Sequence, residues 1–75
     1  MNKTYVVSSS IDCVGHSNGY MYIRFKSGQS YSYAGVSQSV FRAVETADSV
    51  GSAFHRLIKG KYRYTRLGYD PFARG

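Results

Sequence analysis

Residues 11–34, I-D-C-V-G-H-S-N-G-Y-M-Y-I-R-F-K-S-G-Q-S-Y-S-Y-A, decide the fold. Asn18-Gly19 falls where a type I′ turn needs positive φ at both central positions. Asparagine and glycine tolerate that conformation, so the flanking segments pair as a hairpin. After the turn, Met21, Ile23 and Phe25 alternate with Tyr20, Tyr22, Arg24 and Lys26. Period two places the first set on one face and the second on the other, as in a half-buried strand. Ser27-Gly28 makes a second turn, and Ser30 to Ala34 returns as a third strand with Tyr31 and Tyr33 on one side. Gly35 ends it. These residues predict a three-stranded antiparallel β-meander.

Beyond the meander the period changes. Ser37 is suited to an N-cap, and Val40, Phe41, Val44 and Ala47 follow at helical spacing, which predicts an amphipathic helix over Gln38 to Ala47. Ser49 caps a second, shorter helix with Phe54, Leu57 and Ile58 on its apolar side, and Gly60 stands where a left-handed C-terminal residue is expected. Tyr62-Arg63-Tyr64 reads as extended, a candidate short C-terminal strand. The expected fold is therefore α+β, a three-stranded meander packed by two helices. One domain spans residues 1–66, with order expected from about Val6 to Tyr64. Residues 67–75 read as a loosely held C-terminal tail with a turn near Asp70-Pro71.

A chain of 75 residues has room for one modest core. Domains this small bury only about 60% of their unfolded surface, which favours a binding surface over a deep catalytic cleft. The single cysteine, Cys13, cannot form an intramolecular disulfide, and with two distant histidines it cannot close a zinc site. It reads as a small core residue. No apolar run approaches the ~20 residues of a membrane span, and the N-terminus lacks a signal-peptide apolar region. A reducing, cytoplasmic setting is the expectation.

No enzyme is predicted. His16 and His55 have no partner at a telling spacing, and Asp12, Glu45, Asp48 and Asp70 show no paired arrangement. GxSxG, HExxH and P-loop patterns are absent, so no catalytic residue, metal or cofactor is assigned.

Charge points instead to binding. The net charge is +6, and residues 49–75 hold Arg56, Lys59, Lys61, Arg63, Arg66 and Arg74 against Asp70 alone, a balance of +5. From Phe54 to Tyr69 the first five of these cations interleave with aromatics, without an acidic residue. Clustered cations attract phosphates, and flat rings between them can stack on bases.

The spaced stretches S-S-S-I-D-C-V-G-H at 8–16, M-Y-I-R-F at 21–25, Tyr31-Ser32-Tyr33, G-V-S-Q-S-V-F at 35–41 and S-V-G-S-A-F-H-R-L-I-K-G-K-Y at 49–62 together resemble the KTSC domain. The similarity covers roughly residues 7–65. That family includes the C-terminal domain of some lysyl-tRNA synthetases and small stand-alone proteins of bacteria and phages, and the resemblance implies RNA binding. Ser37 departs from a proline common in the family, and His55 from an asparagine.

The expected function is non-catalytic binding of RNA, structured RNA such as tRNA included, or of DNA. In it Arg56, Lys59, Lys61, Arg63 and Arg66 contact phosphates, and Arg24 and Lys26 extend the track. Tyr62 and Tyr64 stack on bases, and Tyr31 and Tyr33 form a second platform, with Tyr20 or Tyr22 alongside, if they face solvent. The alternative is a protein-interaction module, a phage or bacterial regulator or inhibitor that places the same surface on an acidic protein. Clustered arginine and tyrosine suit protein hot spots equally. Either a monomer or a homodimer fits.

Overall fold

The computed structural model describes residues 3–73, in the order β1 (Thr4–Tyr5), β2 (Ile11–Ser17), β3 (Tyr20–Phe25), β4 (Ser30–Ala34), α1 (Gln38–Glu45), α2 (Val50–Leu57) and β5 (Tyr64–Leu67). Arg74, counted in the charge balance above, lies outside those residues. The strands form one antiparallel sheet in sequence order, β1 to β5. The α+β class and both helices are as expected, but the sheet has five strands where the meander predicted three. The C-terminal strand exists and begins at Tyr64, after a turn in which Lys61 N–H bonds to Ile58 O at 3.0 Å. Arg63 already joins the sheet, its carbonyl accepting Ala34 N–H at 2.9 Å. The other added strand, β1, is only two residues long.

Turn and cap chemistry acts as the residues dictate. Asn18 and Gly19 have φ of 53° and 81°, the doubly left-handed geometry of the predicted hairpin turn. The Ser37 hydroxyl accepts Val40 N–H at 3.2 Å and the Ser49 hydroxyl accepts Ser52 N–H at 3.3 Å, so each helix starts on its serine. The first helix stops at Glu45, two residues before Ala47, with Thr46 as its C-cap.

Register fixes the faces, because paired residues of an antiparallel ladder point the same way. Ile23 pairs with Val14 and Tyr31, and Met21 with His16 and Tyr33. This set faces the helices and meets Phe41, Val44, Ala53, Phe54 and Ile58 in the main core. Tyr20, Tyr22 and Arg24 point to the opposite face, so Tyr20 and Tyr22 do not stand alongside Tyr31 and Tyr33 as expected.

The helix-free face is not bare. Phe72 is fully buried outside the main cluster, and the Arg24 guanidinium lies 5.9 Å from its ring centroid. Arg24 also pairs with Asp70 at 2.5 Å and with Asp12 at 2.7 Å. Asp70 Oδ1 accepts Phe72 N–H at 2.9 Å, and Lys3 Nζ donates to Phe72 O at 3.4 Å. The segment after Leu67, expected to be loosely held, thus folds back over the sheet through an aromatic plug and an ion pair. The Phe72 N–H, and after it the Arg24 guanidinium, hold the Asp70 carboxyl below its usual range. Such a group stabilises above its unfolded pKa, and the contribution is lost as pH falls through the folded value. Below pH 3.8, the ordinary value, the Phe72 ring resonances should therefore move toward unfolded positions before those of the main core. Asp70→Asn should abolish that separate acid step; the same step in both proteins would refute the latch.

Among the described residues no helix is long and apolar enough to cross a membrane, and no group of three or more His, Cys, Asp or Glu could hold a metal.

Candidate nucleic-acid interface

Five aromatic side chains close a ring on the helix side of the sheet. Tyr64 approaches Tyr31 with centroids 5.9 Å apart, Tyr31 approaches Phe25 at 5.8 Å, and Phe25 approaches Phe54 at 5.9 Å. Phe54 meets Tyr33 at 5.5 Å, and Tyr33 returns to Tyr64 at 6.1 Å. Edge-on and tilted pairs in this range bring positive ring edges toward negative faces, a favourable arrangement. The ring follows from register and phase. Tyr31 and Tyr33 share a face on β4, Tyr64 pairs with Tyr33, and α2 presents Phe54 from above.

Around these rings opens a groove of about 920 Å³. Tyr62 joins its aromatic wall, and Lys26, His55 and Lys59 stand along it. Tyr64 is 63% exposed, whereas Tyr33 is 6% exposed and lies mostly in the core. Burial, and after it the neighbouring Tyr31 and Tyr64, push the Tyr33 hydroxyl up to about 12, so it stays protonated at neutral pH. The condition placed on Tyr33 as a stacking platform, that it face solvent, is therefore not met; its ring is the floor. Tyr31 is half-buried and reachable from the groove.

The groove thus gathers six residues singled out from sequence: Lys26, Tyr31, Tyr33, Lys59, Tyr62 and Tyr64. Arg56 lines a neighbouring hollow. Lys61 and Arg63 are exposed on the approach to β5, and Arg66 pairs with Tyr31 at the outer edge of the same face. Arg24 is corrected. It sits on the opposite face with a side chain 19% exposed and two carboxylates on its guanidinium, so it holds the C-terminal segment and does not extend a phosphate track. Cys13 is fully buried, and burial raises its thiol pKa, which suits a core residue and not a nucleophile. Phe25, Phe54 and His55 were not among the expected binding residues. Phe25 could have been found, because it shares the alternation phase of Met21 and Ile23 at the strand end where the core opens.

The geometry defines a small α+β domain with a basic, aromatic-walled groove on one side of its sheet. The KTSC domain model matches residues 7–62, and the chain belongs to that family. The crystal structure of a KTSC domain protein from Yersinia pestis is similar, with a TM-score of 0.82 and 31% identity over 89% of this chain and 97% of that one. A lysine–tRNA ligase from Trichormus variabilis is 40% identical over 45 residues, 60% of this chain. That match takes in only 8% of the ligase.

Proposed function

We propose that this KTSC domain is a non-catalytic binding module for RNA, engaging unpaired nucleotides in the aromatic groove. The observation that supports it is the placement of Lys26 and Lys59 along a groove walled by Tyr31, Tyr62 and Tyr64. Rings accept any base by its π face, and the lysines neutralise adjacent phosphates. Lys61 and Arg66 extend the cationic approach beside β5 and Arg56 extends it on α2, whereas Arg63, opposite Ala34 and out of phase with Tyr64, falls on the other face of the sheet and leaves the expected track. Base specificity is low in this mechanism, because stacking and charge carry little sequence information. The ligase match makes tRNA a sensible structured ligand to try beside simple single strands, by analogy. A cytoplasmic setting goes with this reading, being where such RNA and a reduced Cys13 thiol are found.

The test is binding of a short oligouridylate across a salt series. Contact with about 4–6 phosphates gives a slope of log affinity against log salt of roughly −3 to −4. Tyr62→Ala and Tyr64→Ala should each weaken binding by about 1–3 kcal/mol, and phenylalanine at either position should keep most of it. A flat salt series would end this reading. A stoichiometric acidic protein captured from lysate and retained after nuclease treatment would favour the protein-interaction alternative.

A further inference from the structure

The aromatic groove continues past His55. Ser9, Ser10, Lys26 and His55 line both the groove and a second hollow of about 1110 Å³ beside the start of α2. The chemistry changes between the two. In place of rings, the second hollow has Arg56 and the hydroxyls of Ser8, Ser49 and Ser52. Its walls come close at Gly51, where an added Cβ would lie 3.6 Å from Ser8 Oγ. Ser8 Oγ accepts the N–H groups of Ser10 at 3.3 Å and Ile11 at 3.2 Å, and Ser49 Oγ accepts that of Ser52. Ser8 Oγ thus accepts two bonds and Ser49 Oγ one, and each hydroxyl still carries its O–H hydrogen to donate. Asp48 also lines the hollow and forms no ion pair among the described residues, so Lys26 and Arg56 outnumber it by one charge.

We propose that the two contiguous hollows form one site for the phosphorylated end of a single strand. The terminal base lies against Tyr31, Tyr62 and Tyr64, and the terminal phosphate sits among the hydroxyls beside Lys26 and Arg56. An end fits better than an internal linkage. A phosphomonoester brings three acceptor oxygens and about −1.5 to −2 charges, against one charge on a diester, and so uses both cations and the serine donors. This inference rests on the RNA-binding reading and adds to it a preference for one chemical kind of strand end.

The experiment compares three uridine trinucleotides by calorimetric titration of the whole protein: unphosphorylated, 5′-phosphorylated and 3′-phosphorylated. One phosphorylated form should bind about tenfold more tightly than the unphosphorylated one. Arg56→Ala should bring that ratio close to one, whereas Tyr64→Ala should weaken all three trinucleotides and keep the ratio. Three equal affinities in a protein that still binds the longer oligouridylate would overturn the end-recognition site and leave the RNA reading standing. No binding to any oligonucleotide would remove both.

Discussion

Phe72→Ala is expected to destabilise the domain by about 3–5 kcal/mol, the usual range for removing a fully buried phenylalanine ring. At about 0.05–0.15 kcal/mol per residue, a chain of 75 residues has about 4–11 kcal/mol in total, so the loss is a large share of it. The size of the effect comes from how few groups hold the segment after β5 in place. The ring has no exposed surface and lies against the Arg24 guanidinium, while the Asp70 carboxylate and the Lys3 ammonium hold the Phe72 backbone N–H and carbonyl. Without the ring, ordering residues 68–73 costs conformational entropy that the remaining ion pair, partly open to solvent, does not offset. A urea titration gives the stability, and thiol labelling of Cys13 reports on the sheet. Cys13 is fully buried on the strand paired with Arg24, so loss of the plug should speed its modification. Phe72→Leu should fall between the parent and alanine. An unchanged urea midpoint together with unchanged labelling would show that the plug does not hold this face closed.

That contact was the least legible part of the chain. Asn18-Gly19, the serine caps and the alternation in β3 are local signals, each settled within a few residues by steric or hydrogen-bonding rules. They gave the hairpin, both helix starts and the burial of Phe41 and Val44, which the structure shows. Arg24 misled because alternation puts it on the face without helices, where a charge ordinarily meets water. Its two partners lie 12 and 46 residues away, separations that periodicity does not encode. Asp70-Pro71 signals a turn but not where the turn leads, and β1 is too short to show a period. The groove was half legible. Tyr62 and Tyr64 drew notice through the charges around them, whereas Phe25 and Phe54 read only as core. Both readings of the phenylalanines hold, since the aromatic ring that finishes the core also forms the wall of the groove.

This double role leads to the second large effect. Phe54→Ala should also cost about 3–5 kcal/mol, because Phe54 is 2% exposed and links Phe25 to Tyr33 across the sheet. It should remove binding as well, and through a different route from Tyr64→Ala. Tyr64 lies at the open edge of the groove, so its loss subtracts a stacking surface while the β4 ladder stays intact. Removing Phe54 takes away the contacts that fix the orientations of Phe25 and Tyr33, and the groove loses its shape along with the core. Urea midpoints and oligouridylate affinities measured on the two variants separate these effects. Tyr64→Ala is expected to lower affinity with a nearly unchanged midpoint, and Phe54→Ala to lower both, with Phe54→Leu recovering much of the stability but less of the binding. Leucine fills apolar volume without restoring the edge-to-face contacts. If Phe54→Ala melts like the parent, the ring does not support the core. If Phe54→Leu instead restores affinity in full, aromatic geometry is irrelevant to the groove, and charge alone carries whatever it binds.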